Sequence, residues 1–144
     1  HNLSCNASDI VLAGNGYAYA FPLTGQWTDI VCLNLSNGML SNHSGRPIND
    51  DTKAKLQPGT NFIYGTDNGS SPSDIEKYNI SGGTASYLYD SPYHGDYPVS
   101  GDLWFNESGT RIITRGRTIF STATTQSQDM QYAGTLAGRQ GVSH

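Results

Sequence analysis

Long apolar runs, clusters of basic residues and multiple cysteines are all missing from this sequence of 144 residues. No stretch of 18 apolar residues occurs, so no transmembrane helix and no membrane partner are predicted. Only 14% of the residues are charged, the net charge is −4, and no lysine or arginine run offers a nucleic-acid-binding surface. Two cysteines are too few for a disulfide framework, and their spacing matches no zinc motif.

The sequence also lacks the short motifs that carry well-known chemistry. There is no Gly-x-Ser-x-Gly elbow, no His-Glu-x-x-His pair and no phosphate-binding loop. The oxygen-rich stretch 67–74 lacks the full twelve-position calcium pattern, so a plain hairpin loop is the favoured interpretation. We therefore predict no metal site and no cofactor, and we assign no catalytic residue.

Two local features leave alternatives open. Cys32 lies in the apolar run Ile30–Leu33, where a buried thiol packs as a small hydrophobe, and a Cys5–Cys32 disulfide is the alternative. Seven Asn-x-Ser triplets occur, which are acceptor sites for glycosylation in a secreted eukaryotic protein. Asparagine and serine also crowd into β-turns, and this second explanation is favoured.

Glycine and tyrosine are abundant, with 17 and 9 residues, and both point to a β fold. Glycine allows tight reversals, whereas tyrosine, valine, isoleucine and threonine suit pleated strands. Asn-Gly and Gly-Gly pairs separate strand-like runs, as in antiparallel hairpins. No stretch shows a sustained apolar period of 3.6 residues, so the sequence predicts an all-β protein with almost no helix.

An internal repeat is the strongest signal in the chain. Gly14–Ala20 is similar to Gly59–Gly65, and Asp29–Gly38 is similar to Asp74–Gly83, and both matches lie 45 residues apart. Two separate motifs that share one offset indicate duplicated structural units.

A third copy follows when Gly109–Thr114 is aligned with Gly59–Tyr64, 50 residues earlier. The units predict a single domain over 1–144 with blades of a β-propeller at about 9–45, 52–90 and 101–137. Each blade is a four-stranded antiparallel sheet, and stacking such sheets around an axis covers their apolar faces. A β-sandwich is the alternative, because it also has many short strands.

Particular segments resemble a known family. Asn15–Ala20 followed by Ile30–Gly38, and Pro58–Tyr64 followed by Ile75–Gly83, resemble the bacterial YVTN-type β-propeller repeats. The region Tyr87–Phe120 looks like blade sequence from secreted bacterial propellers. The resemblance implies the propeller fold and a secreted or periplasmic location, and it carries no catalytic residues.

Three units are fewer than a closed propeller needs, because closed rings have four to eight blades. Three blades alone leave an apolar sheet face at each end, and exposed apolar surface of that size marks an interaction site. We predict a homo-oligomer in which two copies close a six-bladed ring. The alternative is that the chain is part of a longer protein.

The segment 87–98 holds four of the nine tyrosines and is the predicted binding region. Aromatic rings beside carboxylates are typical of carbohydrate- and peptide-binding surfaces. The alternative is that the tyrosines pack between blades. The predicted binding residues are Tyr89, Asp90, Tyr93, His94, Asp96 and Tyr97.

Two functions fit this sequence. The first is a non-catalytic binding or scaffold protein that presents a face of propeller loops to a carbohydrate or protein partner. The second is a hydrolase or lyase with its site in the central channel of the assembled propeller. The polar groups available to such an enzyme are His43, Asp90, His94 and Asp96.

Overall fold

Twelve short strands make up three separate sheets in the computed structural model, which describes residues 5–138. Sheet 1 consists of β1 (Ala7–Ala13), β2 (Tyr17–Pro22), β3 (Val31–Asn34) and β4 (Leu40–Asn42). Sheet 2 consists of β5 (Lys53–Leu56), β6 (Phe62–Thr66), β7 (Ile75–Asn79) and β8 (Ser86–Asp90). Sheet 3 consists of β9 (Leu103–Phe105), β10 (Arg111–Thr114), β11 (Thr118–Ser121) and β12 (Tyr132–Thr135).

Each sheet is an antiparallel meander whose strands pair in chain order. One turn of 3₁₀ helix, Gln126–Gln128, is the only helical segment within residues 5–138. The predicted all-β class with three four-stranded antiparallel sheets is therefore confirmed, and the structure has three sheets where a sandwich has two. None of the helices in the described region is long and apolar enough to cross a membrane.

Strand register corrects the alignment of the third repeat. In sheet 2, Ile63 pairs with Leu56 and Tyr78. In sheet 3, the equivalent position belongs to Ile112, which pairs with Phe105 and Phe120, whereas the sequence alignment had placed Ile113 there. Successive side chains of a strand point to opposite faces of the sheet. The shift of one residue therefore places on the opposite face every side chain of β10 that the alignment had assigned to the buried face.

The reason for the shift lies in the hairpin turns. Both turns have five residues, 57–61 and 106–110. They also close alike, because the Gln57 N–H donates to the carbonyl of Phe62 and the Asn106 N–H donates to that of Arg111. The glycine with positive φ is the third residue in one turn and the fourth in the other, with φ of 71° and 68°. Aligning the two glycines therefore displaces the flanking strands by one position.

Sheet 2 lies between the other two and buries both of its faces. The core between sheets 1 and 2 contains Tyr19, Phe21 and Cys32 from sheet 1 with Ile63 and Tyr78 from sheet 2. The core between sheets 2 and 3 is built from a second set of buried side chains, which includes Tyr64, Ile75, Leu103, Ile112 and Phe120. We call the face that a sheet turns toward the next sheet its front face, and the opposite one its rear face.

The first strands of the sheets lie side by side, with β5 between β1 and β9. A charged bridge joins them, because the Lys55 ammonium lies 2.9 Å from carboxylate oxygens of both Asp9 and Asp102. First strands that lie next to one another fit a blade-like arrangement of the three sheets. Cys5 and Cys32 are both free thiols, so the alternative of a disulfide between them is not realised.

Candidate functional site

Four connections emerge at one edge of the sheets and bring the predicted site residues together. Links 43–52 and 91–102 join successive sheets, and loops 23–30 and 67–74 join the second and third strands of sheets 1 and 2. Antiparallel strands reverse direction at every connection, so alternate connections share an edge. Polar side chains tie these connections to one another, as where the Asn49 amide donates to Asp67 over 3.0 Å. We call this edge the link face.

A cleft of about 680 Å³ opens where sheet 2 meets the segment between β11 and β12. Its walls include Asp90, Pro92 and His94 on one side and Gln126, Ser127 and Gln131 on the other. A second cleft, of about 500 Å³, lies on the other side of link 91–102 and is lined by Asp96, Tyr97 and residues 71–73. Four of the six predicted binding residues therefore line one of two neighbouring clefts.

His94 is exposed but held in place by a buried carboxylate. Its Nδ1 lies 2.8 Å from Oδ2 of Asp74, while 65% of the imidazole side chain is exposed. The other oxygen of Asp74 accepts hydrogen bonds from the N–H of Ile75 and the hydroxyl of Ser91. Burial raises the pKa of Asp74, and the neighbouring His94 opposes that rise. The contact through Nδ1 leaves Nε2 of His94 facing away from Asp74.

Asp90 is anchored in a similar way by an arginine from the preceding link. The Arg46 guanidinium donates to Oδ2 of Asp90 over 2.9 Å and stands over the ring of Tyr87 at 5.6 Å from its centre. Its other nitrogen lies 3.4 Å from Glu76. Within the described part of the chain, the second carboxylate oxygen of Asp90 has no hydrogen-bond partner, and Asp90 is one of the residues that line the cleft.

Tyr93 and Tyr97 form an aromatic cluster that fixes link 91–102 onto sheet 3. Their rings meet edge to face with centres 4.9 Å apart, and both contact Phe120. Tyr97 also stacks in parallel on Tyr132 at 4.3 Å. The Tyr93 hydroxyl donates to the side-chain oxygen of Gln131 over 3.3 Å, and it thereby orients an amide that lines the 680 Å³ cleft.

Tyr89 lies apart from both clefts. Its hydroxyl donates to Asp129 over 3.0 Å and accepts from Lys77, whose ammonium contacts the same carboxylate at 2.6 Å. Tyr64 donates to Asp129 as well, and Lys77 and Asp129 are 1% and 0% exposed. These residues hold sheets 2 and 3 together. Tyr89 therefore packs between two sheets, which was the alternative to a binding role.

Glu76 is the most strongly perturbed acid near the clefts. Its carboxyl is fully buried, which raises its pKa to about 7, and the negative charge of Asp67 adds to the rise. The Tyr78 hydroxyl, which donates to it, and the nearby Arg46 both act in the opposite direction. Because the group is closed off from solvent, its role is in the packing of sheets 1 and 2.

His43 does not share the site with His94. Only 8% of it is exposed, and its Nδ1 accepts the N–H of Ile30 over 3.0 Å. Its Nε2 lies 2.8 Å from the carbonyl oxygen of Arg46, so the two ring nitrogens contact the backbone of loop 23–30 and of link 43–52.

Several residues that shape the site were not predicted from the sequence. Asp74 holds His94 in place and Gln131 lines the cleft, yet they lie 20 and 37 residues from His94. Arg46 had no recognisable partner before the fold placed it beside Asp90. The stretch 67–74, weighed as a calcium loop, closes on itself because Asp67 accepts the N–H of Asp74 over 2.6 Å. No group of three or more metal-binding side chains occurs within 5–138.

Neither the protein-family models nor the curated proteins compared with this chain gave a match. The resemblance to YVTN-type repeats therefore stays a prediction, and the function has to be argued from the geometry of the clefts.

Proposed function

We propose that this protein is a non-catalytic binding protein that recognises a carbohydrate in the 680 Å³ cleft beside link 91–102. The observation that carries the proposal is that the polar groups of the cleft are pre-positioned. Asp90 and His94 each have one atom held by Arg46 or Asp74, and their other polar atoms remain for a ligand. A site whose groups are fixed before binding loses less conformational entropy when the ligand arrives.

The chemistry of the lining favours sugar hydroxyls. Asp90 offers a carboxylate oxygen that only accepts, Gln131 an amide that donates and accepts, and Ser127 a hydroxyl that does both. This combination of donors and acceptors matches the adjacent hydroxyl groups of a sugar ring, each of which can donate and accept a hydrogen bond. Pro92 adds an apolar wall. A cleft of this size accommodates a ligand of one or two sugar rings.

A glycan array followed by calorimetry with two matched variants tests the proposal. We expect Asp90→Asn to weaken binding of the array's best ligand by about tenfold or more, since the variant changes an acceptor-only group in the cleft. Asp96→Asn, the same chemical change in the second cleft, should leave affinity unchanged. A stronger effect of Asp96→Asn would move the site to the 500 Å³ cleft, and an array without any binder would contradict the carbohydrate proposal.

A hydrolase or lyase is the second candidate, and the Asp74–His94 contact is the observation that favours it. A buried carboxylate beside one imidazole nitrogen is how many enzymes orient a general base. A panel of glycosidase, esterase and lyase substrates tests this candidate with His94→Gln as control. Activity that survives the substitution would remove His94 from any catalytic role.

A protein is the alternative ligand for the link face. Binding to members of a peptide library, without binding to any glycan, would favour a protein ligand. A secreted or periplasmic location follows from the resemblance to secreted bacterial propellers.

A further inference from the structure

Three Asn-Gly pairs occur in the sequence, and they begin at Asn15, Asn37 and Asn68. The backbone nitrogen that follows an asparagine can attack the carbon of its side-chain amide. The attack is easiest when that nitrogen belongs to glycine, because glycine has no Cβ to obstruct it. Asparagine is therefore among the residues that heat and time alter. Since the three dipeptides are identical, their surroundings in the fold decide which one reacts.

Asn15 lies in the turn between β1 and β2 and is held by contacts that reach the next sheet. Its amide nitrogen donates to the carbonyl of Ile80, which follows β7, over 2.9 Å and to the Tyr19 hydroxyl over 2.7 Å. Its amide oxygen accepts the N–H of Tyr17 over 3.1 Å. The side chain of Asn15 can therefore turn toward the nitrogen of Gly16 only after contacts between sheets 1 and 2 have broken.

Asn68 is held just as firmly, in loop 67–74 on the link face. Its amide nitrogen donates to the carbonyls of Asp51 over 2.9 Å and Gly101 over 3.1 Å. Its amide oxygen accepts the N–H of Gly101 over 2.6 Å. These partners belong to links 43–52 and 91–102, so the side chain of Asn68 joins three connections. Its rotation toward Gly69 requires that these connections separate.

Asn37 lies in the exposed turn between β3 and β4, and its contacts are all local. Its amide oxygen accepts the N–H of Met39 over 2.9 Å, and among residues 5–138 its amide nitrogen has no hydrogen-bond partner. The Gly38 N–H donates to the carbonyl of Asn34 over 2.8 Å. Opening of this one turn therefore frees every group that the reaction needs. An exposed turn opens with a much smaller free energy than a packed interface does.

We propose that Asn37 is a site of spontaneous deamidation, and that the fold protects Asn15 and Asn68 from the same reaction. The nitrogen of Gly38 bonds to the side-chain carbon of Asn37, and the amide nitrogen takes up the proton of the Gly38 N–H and leaves as ammonia. Water then adds to either carbonyl of the resulting succinimide and opens the ring to aspartate or isoaspartate. Both products place a new carboxylate in the turn, and isoaspartate also adds a methylene to the backbone. The proposal is independent of the ligand of the 680 Å³ cleft.

Peptide mapping by mass spectrometry tests the proposal on the full chain during incubation at mildly alkaline pH. The peptide with Asn37 should gain the mass difference between a hydroxyl and an amino group about tenfold faster than the peptides with Asn15 and Asn68, whose amides must first lose hydrogen bonds to other segments. In urea the three rates should become similar. Equal rates in the folded protein, or the same selectivity in urea, would overturn the proposal.

Two variants separate the site from the mechanism of protection. Isoelectric focusing of the incubated wild type should show conversion to a more acidic species, which Asn37→Gln should not form, because its longer side chain cannot close a five-membered ring with the next nitrogen. Tyr19→Phe removes one acceptor of the Asn15 amide and should raise the Asn15 rate by about fivefold without changing that of Asn37. An acidic species that persists in Asn37→Gln, or an unchanged Asn15 rate in a Tyr19→Phe protein with the circular dichroism of the wild type, would contradict the proposal.

Discussion

Glu76 lies buried at the start of β7, and replacing it with glutamine is expected to remove much of the pH dependence of folding stability. Its folded-state pKa is about 7, whereas its ordinary value is 4.5. The folded protein thus holds this proton more tightly than the unfolded chain does. Stability from this group is fully present below pH 4.5 and is lost as the pH rises through 7.

The size of the effect follows from the difference between the two pKa values. Each unit corresponds to about 1.4 kcal/mol, so the ionised carboxyl costs roughly 3 kcal/mol above pH 8. Glutamine keeps a carbonyl oxygen for the Tyr78 hydroxyl but never ionises. The variant should match the wild type near pH 4 and exceed it by roughly 3 kcal/mol at pH 8.5, or by a melting temperature difference on the order of 10 °C.

Urea unfolding and calorimetry between pH 4 and pH 8.5 measure this difference. Burial also raises the pKa values of Asp67 and Asp74, which contribute with the same sign, but they are common to both proteins. Glu107→Gln, in the exposed turn before β10, is the matched control and should change neither curve. A stability difference between Glu76→Gln and wild type that stays constant with pH would refute the reasoning.

Two further substitutions test the packing between the sheets. Lys77→Met should destabilise the fold by about 3–5 kcal/mol in urea, since it leaves the buried carboxylate of Asp129 without its cation, and an effect below 1 kcal/mol would contradict a structural role for the pair. Gly83→Ala should cost about 1–3 kcal/mol, because Gly83 has φ of 90° and an added Cβ would lie 2.7 Å from the Tyr17 ring. Gly82→Ala, where nothing lies within 4 Å of the added atom, should be nearly neutral in the same assay.

Much of the fold was predictable because its signals are local. The three four-stranded sheets were predicted from patterns in short stretches of chain. These patterns are the glycines in turns, the strand-like runs between them and the motifs that recur after 45 residues. Strand register in the third unit was not predictable, since Gly109 and Gly59 occupy different positions in turns of equal length. A slip of one residue is invisible in an alignment, yet it decided that Ile112 is buried and that Ile113 is on the opposite face.

The candidate site was predictable in part. The tyrosine-rich segment 87–98 was the predicted binding region, and Asp90 and His94 from it line a cleft. The groups that fix them, Arg46 and Asp74, come from other connections, and only the packing of neighbouring sheets brings them near. Tyr89 differs from Tyr93 because it lies within β8 and faces the next sheet, whereas Tyr93 lies in the link.

Nuclear magnetic resonance with ¹⁵N-labelled protein tests the central claim most directly, through a titration with the strongest binder from the glycan array. The account predicts saturable shifts in the backbone amides of residues 90, 91, 93 and 94 and of residues 125–131, on the two walls of the 680 Å³ cleft. Shifts confined to the turns at 35–38 and 81–85, on the edge opposite the link face, would contradict it, as would the absence of any saturable change.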